Sequence, residues 1–405
     1  MITMKKVVVT GIGSVSALGL NTDELWNGLI EGKSGIRKIT RIPLEEHETT
    51  VAGEVDDAFE AVTSKYWKKR QLSITTKATR MGLAAASEAI EDCGADFSTL
   101  NGNRIAIIYG VSDNSYEDGE LETIQNITIK RMPSAIPAML AMKHGIKGAA
   151  FNLSTACASS GYAAALGKQL IQSGMYDMVI TGGLSNMVSN VVISGFNQVL
   201  AMSVNPDPDS TPCPFTKNRD GFIMGEGSGC IILESEEHAK ARGARIRCEL
   251  AGASMICEAY NMTAPLPEGE GMAESMQLAL DDAGMAPDEI GYINAHGTST
   301  SLNDLYETTA IKKVFGDRAY DIPVSSIKAA IGHTLAAGGA LEGIACIKAI
   351  ETGILPPTVH FSEADPELDL NYIPNEAIQK NINAAASNSF GFGGSNATLI
   401  FRKYE

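Results

Sequence analysis

The sequence predicts an internally duplicated α/β fold, and three observations carry that expectation. Its 405 residues hold 40 glycines, many alanines and only 6% aromatics, a composition suited to helices and sheets packed closely on small side chains. A helix-then-strand pair occurs twice. An amphipathic run from Thr75 to Cys93, stopped by Gly94, precedes the apolar run Arg104–Tyr109, and Met272–Ala283, stopped by Gly284, precedes Gly291–Ala295. A strand-then-helix pair follows each of these. Phe151–Cys157 leads into a small-residue helix ending at Gly174, and Pro323–Lys328 into another ending at Gly353. Two pairs in the same order divide the chain into a first half, 1–247, and a second half, 248–405.

Taken in order, Val7–Gly13 is a buried strand by its β-branched run, with Gly11, Gly13 and Gly19 permitting a tight turn after it. The Gly-x-Gly here does not make a dinucleotide site: the third glycine is misplaced, and no acidic residue follows a second strand at the required distance. Thr22–Glu31 is a short helix capped by Asn21 or Thr22, and 33–64 is rich in loops. The tail closes with Asn388–Asn396, a Gly-rich turn that lets backbone N–H groups approach a ligand, before the strand Ala397–Phe401.

Composition also excludes. A net charge of −16 argues against nucleic acid as a partner, because phosphate binding needs clustered cations. No run of about 18 apolar residues and no signal-peptide core is present, so no membrane partner is expected and a soluble, cytoplasmic protein is. The seven cysteines are odd in number, scattered and without a CxxC pair, which suggests reduced thiols rather than disulfides or a zinc site. One local exception to the acidic balance is the run Lys65-Tyr66-Trp67-Lys68-Lys69-Arg70, which reads either as a dock for an acidic partner or as a solvated helix face.

The chemistry centres on Cys157, set among small residues where a strand turns into a helix. Free N–H groups and the helix dipole there favour a thiolate and are expected to lower the thiol pKa. Of only six histidines, two lie in small-residue turns after strands: His296 in Asn294–Thr300 and His333 in Lys328–Thr334. A cysteine nucleophile with two imidazoles can form a thioester and then stabilise an enolate, each ring donating an N–H to the developing oxyanion. Zinc ligation is disfavoured, and no metal is expected: the three residues are far apart in sequence and no fourth ligand is offered. Lys328 is placed to hold His333 or a carboxylate such as Glu342 through charge-assisted bonds.

These residues lie in STACASSG at 154, NAHGTST at 294 and SSIKAAIGHTLAAGGALE at 325. With VVVTGIGSVSALG at 7, PFTKNRDGFIMGEGSG at 214 and NSFGFGG at 388, the chain resembles the β-ketoacyl-acyl carrier protein synthases over nearly its whole length. The resemblance implies a thiolase-like αβαβα five-layer sandwich, normally dimeric. It implies that Cys157 takes an acyl chain from a carrier protein's phosphopantetheine, while His296 and His333 promote decarboxylation of a malonyl extender. By the same resemblance the amides of Cys157 and Phe392 form the oxyanion hole, Phe392 gates the acyl pocket, and Lys328 and Glu342 support the histidines. Thr298, Thr300, Phe222 and Phe390 fall at substrate-binding positions, and Lys65, Lys68 and Lys69 fall where the family docks its acidic carrier. No dedicated cofactor is implied, since the pantetheine arm arrives with the substrate.

Both histidines are present, unlike the initiating synthases, and Cys157 is retained, unlike a chain-length factor. Departures from the family pattern lie in Tyr109–Ser115, which lacks the usual Gly-rich turn, in the short stretch Pro133–Gly148, and at Cys213 and Thr216. Asn303-Asp304, Glu307-Thr308 and Ser325–Lys328 are closer to polyketide ketosynthases. Elongation in fatty acid synthesis as a homodimer, and polyketide or polyene work beside a chain-length factor, both stay open on these residues.

Overall fold

A computed structural model gives the fold and describes residues 4–112 and 127–405; positions 113–115 of the Tyr109–Ser115 departure lie outside the described residues. The first half carries strands β1 (Val7–Ser16), β2 (Ile105–Val111), β3 (Ala150–Leu153), β4 (Met178–Ser185) and β5 (Gly227–Ser235). The second carries β6 (Cys248–Ala253), β7 (Tyr292–Asn294), β8 (Val324–Ser325), β9 (Ala384–Gly391) and β10 (Ser395–Arg402). Their spatial order is β8-β7-β9-β10-β6-β1-β5-β4-β2-β3, with Ile256–Cys257 added on β10. Read outward from the β1/β6 seam, both halves run in the same sequence, and adding five to each label of one gives the other. Strand directions repeat as well: β2 is parallel to β3 and β4 as β7 is to β8 and β9, and the remaining pairs in each half are antiparallel. The seam itself is short, pairing Val8 with Glu249 and Val9 with Cys248.

Successive strand residues point to opposite faces, and here both faces are buried. Ile105, Ile107 and Tyr109 pack under helix α1 (Lys77–Cys93), whereas Ala106 and Ile108 face the middle of the molecule. In the second half Ile293 and Ile400 pack under α3 (Glu270–Ala283) and α4 (Ser301–Phe315), while Tyr292 and Phe401 face the same middle layer. That layer is filled by α2 (Ser159–Gln172) and α5 (Gly338–Thr352), whose alanines and glycines let the two sheets close on them. Five layers of structure result, with one apolar cluster on both sides of the middle helices and one under the helices of each outer layer.

Four expectations need correction. Gly11 and Gly13 do not form a turn but lie inside β1, where a Cβ would stand 2.3 Å from the Ala89 carbonyl oxygen and 2.1 Å from that of Ala85, so they set how closely α1 packs. Residues 33–64 include most of a helix, Phe59–Tyr66, and a small antiparallel pair, Arg37–Lys38 with Val51–Ala52. The strand expected over 151–157 ends at Leu153. The strand expected over 323–328 ends at Ser325, and the helix after it is broken by Gly332, at φ 75°, into Lys328–Ile331 and α5.

The two outer edges of the sheet differ. β8 is fully buried, and the Val324 N–H donates to the Asn371 carbonyl at 2.8 Å, so a later segment of the chain covers that edge. β3 ends the other side with Ala150 exposed and Phe151, Asn152 and Leu153 half-buried, and no strand lies beyond it among the described residues.

Candidate active site

Loops at the carboxyl ends of β3, β7, β8 and β9 converge on one cavity of about 590 Å³. Cys157 stands one residue before the Ala158 N-cap of α2. Ala156 precedes it with φ 49°, a left-handed conformation uncommon for alanine. The turn is tied by Ser159, whose hydroxyl accepts the Thr155 N–H at 2.9 Å and donates to the Ala156 carbonyl at 2.7 Å. Backbone strain held by local bonds at a nucleophile is a mark of a preorganised site.

The expected lowering of the Cys157 pKa is corrected. Burial pushes the thiol up to about 11, outweighing the Lys328 ammonium and the amides of Phe392 and Cys157, which all pull it down. Those two amides are the pair named for the oxyanion hole, and both act on the sulfur.

The histidines come from the other half. His333 Nε2 lies 3.1 Å from Cys157 Sγ, and its Nδ1 accepts the Leu335 N–H at 3.3 Å. His296 Nδ1 lies 3.2 Å from Lys328 Nζ, which also pairs with Glu342. Lys328 therefore holds His296 and Glu342, not His333, because the break at Gly332 turns His333 away from the helix that Lys328 begins. Assigned from these partners, each Nδ1 is an acceptor, so in the neutral ring the proton sits on Nε2. Burial first, then the Lys328 charge, keeps both imidazoles well below their usual pKa and hence neutral. The rings meet edge to face with centroids 5.3 Å apart.

Sγ and one ring nitrogen of each histidine all lie within 4.8 Å of one another, which raises metal binding again. The donor set does not fit it. A ligated imidazole offers one nitrogen's lone pair and donates through the other, whereas here both Nδ1 atoms already accept and a buried ammonium adjoins the site.

Phe222 stands edge-on to His333 with centroids 5.3 Å apart, and Phe390 lies 5.8 Å from His296. Phe392, at the turn between β9 and β10, is 38% exposed at the cavity, near Phe196 at 6.4 Å. Thr298 and Thr300 line the cavity with their hydroxyls 2.8 Å apart. Lys65, Lys68 and Lys69 are exposed around the end of the Phe59–Tyr66 helix and do not line the cavity, while Trp67 between them is buried. Trp67 Nε1 donates to Ser87 at 3.0 Å.

Sequence reasoning missed the brace behind His296. Glu307 of α4 accepts the N–H of His296 and of Gly297, each at 2.8 Å, and the Asn388 amide at 3.1 Å. Burial nevertheless pushes its carboxyl up to about 7. Asp304, one turn earlier, accepts the amides of Ser299 at 3.2 Å and Phe215 at 2.9 Å. The i, i+3 spacing of two carboxylates beside a His-Gly turn was the available signal.

Family models for the Beta-ketoacyl synthase N-terminal domain and C-terminal domain match residues 4–239 and 247–362. The chain is 39% identical to 3-oxoacyl-[acyl-carrier-protein] synthase 2 of Synechocystis sp., over 99% of each chain. Among solved structures it is similar to the ishigamide ketosynthase/chain length factor, with TM-score 0.91 and 33% identity over 100% of both chains. It is also similar to a type II PKS acyl-carrier protein in complex with its ketosynthase bound to the hexaketide, with TM-score 0.89 and 31% identity over 99% of this chain and 100% of that one.

Proposed function

Because the chain belongs to the β-ketoacyl synthase family, with its thiolase-like fold, we propose that this cavity performs the family's decarboxylating Claisen condensation, elongating an acyl thioester by two carbons in fatty acid synthesis. The observation that carries the residue assignment is the approach of Sγ to two neutral rings whose Nδ1 atoms are both occupied, leaving two Nε2–H donors beside one nucleophile.

Cys157 attacks the carbonyl of an acyl chain borne on a carrier protein's pantetheine arm. The amides of Cys157 and Phe392 hold the oxyanion, and the thiol proton leaves with the departing pantetheine thiol. A malonyl thioester then enters beside Thr298 and Thr300. As its carboxylate departs as CO₂, the bonding electrons form an enolate whose oxygen receives hydrogen bonds from His296 and His333. The enolate carbon attacks the acyl-Cys157 carbonyl, the tetrahedral oxyanion returns to the same amides, and collapse expels the Cys157 sulfur from a β-ketoacyl product. Lys328 donates to His296 Nδ1 and so keeps its proton on Nε2, Glu342 neutralises that ammonium, and Glu307 fixes the loop.

The partner is an acyl carrier protein, and the exposed cations Lys65, Lys68 and Lys69 are the dock for its acidic surface. The β3 edge, beyond which no strand lies among the described residues, is where a second copy adds. Seven free thiols and the absence of a helix long and apolar enough to cross a membrane, among the described residues, support a cytoplasmic setting. A second reading, a ketosynthase paired with a chain-length factor, is favoured by the full-length similarity to the ishigamide protein.

Incubation with acyl carrier and malonyl carrier, followed by mass spectrometry, tests the main reading. A β-ketoacyl carrier two carbons longer from the purified chain supports it. Product only on adding a Cys-less homologous subunit favours the second reading, and no acylation of Cys157 under either condition contradicts both.

A further inference from the structure

Three neighbouring strands of the first half end in polar side chains that nothing in the fold satisfies. β2 runs parallel to β3, with Gly110 paired to Leu153, and to β4, with Val111 paired to Leu184. Continuing that register brings Ser112, Thr155 and Ser185 out side by side at the carboxyl end of the sheet. The hydroxyls of all three, and the side-chain oxygen of Asn186 next to Ser185, are shielded from water and have no hydrogen-bond partner among the described residues. A buried polar group without a partner costs stability, and such groups are few in a native fold. Several of them at one set of strand ends point to a partner that comes from outside the fold.

Of these four side chains, Ser112 also lines the catalytic cavity. The rest of the first-half wall there is largely apolar, with Ala156, Met187 and Phe196 beside it. The pantetheine arm is assigned to Thr298 and Thr300, both in the second half, which leaves the first-half wall to the acyl chain. A saturated chain lying on that wall would seal the Ser112 hydroxyl against methylenes. A chain bearing a ketone or a hydroxyl would supply the missing partner, because a serine hydroxyl can donate to the one and exchange with the other. Ser112 falls in Tyr109–Ser115, the segment that departs from the family's Gly-rich turn, so this hydroxyl is a property of this chain and not of the general pattern.

We propose that Ser112 is a specificity-determining residue whose hydroxyl bonds an oxygen carried along the acyl chain, so that the site favours keto- or hydroxy-substituted acyl groups over saturated ones of the same length. This rests on the condensing reading above and concerns the acyl group alone, since the attack by Cys157 is the same on either chain. A site that holds a buried polar group for its substrate discriminates against the analogue that leaves the group unpaired.

The test reads Cys157 acylation by intact mass, using free pantetheine thioesters of a medium-chain saturated acid and of same-length acids with one ketone placed in turn at each carbon beyond the third. In the parent, one ketone position is expected to acylate about tenfold faster than the saturated chain, the scale of one neutral hydrogen bond at a buried site. Ser112→Ala is expected to bring that ratio to within about twofold of unity. Its acylation by the saturated chain and its melting temperature are expected to stay at or above those of the parent, since the hydroxyl removed has no partner to lose. Ser185→Ala, at a hydroxyl that does not line the cavity, is expected to keep the parent's ratio. A saturated chain preferred over every ketone position, or a ratio unchanged by Ser112→Ala, overturns the assignment while leaving the condensing reading intact. Equal loss of the preference in Ser185→Ala overturns Ser112 as its source. Altered sedimentation of Ser112→Ala with an unchanged ratio also overturns it and gives the orphaned hydroxyl to a second copy. Failure of the parent to be acylated by any of the thioesters would instead sink the condensing reading, and this assignment with it.

Discussion

The two halves of the chain share one strand order and one pattern of parallel and antiparallel pairs, yet the loops at corresponding strand ends present different reactive groups. After β3 the chain makes a strained turn into α2 and presents a thiol; after β8 the corresponding crossover is broken at Gly332 and presents Lys328 and His333. The second half adds His296 after β7 and the Phe392 amide after β9. Duplication supplies two equivalent scaffolds facing one another, and in the proposed mechanism divergence of the loops lets one copy hold the nucleophile and the other hold the groups that stabilise negative charge. The sheet edges diverged too, one covered by its own chain and one with no strand beyond it among the described residues.

The largest expected effect comes from emptying the first half's loop. Cys157→Ala is expected to abolish the acyl-enzyme mass shift and slow condensation about 10⁴-fold or more, as when a covalent nucleophile is removed. In the parent, alkylation of Cys157 is expected to rise about tenfold per pH unit across roughly pH 6 to 10, because the thiolate fraction grows until the pH reaches a pKa near 11. A plateau by about pH 8 would show the helix start prevailing over burial.

Next comes the Lys328–Glu342 charge pair of the second half. Lys328 and Glu342 are both buried, so Glu342→Ala strands an ammonium and is expected to destabilise the fold by about 3–5 kcal/mol. Replacing both, with Lys328→Met and Glu342→Leu, is expected to recover most of that stability while condensation stays impaired. Denaturant unfolding beside the product assay separates the two outcomes.

A smaller loss, about ten- to a hundredfold in kcat, is expected for Glu307→Gln, because both carboxylate oxygens accept N–H groups and an amide presents an N–H to one of them. Activity of the parent is expected to fall as pH drops through about 7, where Glu307 takes up a proton and one loop amide loses its acceptor. The sign follows from the ionised form being the acceptor. An identical acid limb in Glu307→Gln would remove Glu307 as its source. The smallest effect concerns the β3 edge: Leu153→Lys is expected to weaken self-association in sedimentation, while a lysine on an exposed surface elsewhere does not.

Much of this was legible because duplication writes itself twice. Gly94 and Gly284 end corresponding helices in left-handed caps, and apolar runs of matching character follow each. Cys157, His296 and His333 stood out as rare reactive residues in small-residue turns after strands, and one site collects all three. What the sequence hid depends on contacts between distant residues. Glu342 was named as a partner of Lys328 and is one, but the contact of Lys328 with His296 rather than His333 could not be read while Gly332 passed for a helical position. Gly11 and Gly13 passed for turn residues because the carbonyls of Ala85 and Ala89 that crowd them lie more than 70 residues away. Glu307 was visible as a residue but not as a brace, since two of its donors come from the turn at 296–297 and another from Asn388. The thiol pKa failed for a general reason: helix position is local, whereas burial is a property of the whole fold.

The division of labour between the halves is tested most directly by His296→Ala, measured two ways on one preparation: acylation of Cys157 by intact mass, and release of labelled CO₂ from malonyl carrier. His296 bonds to Lys328 and not to the sulfur, so acylation is expected to stay within about tenfold of the parent while CO₂ release falls about 10²–10³-fold, the scale of losing one oxyanion donor. Equal loss in both measurements, or undiminished CO₂ release, would contradict the account.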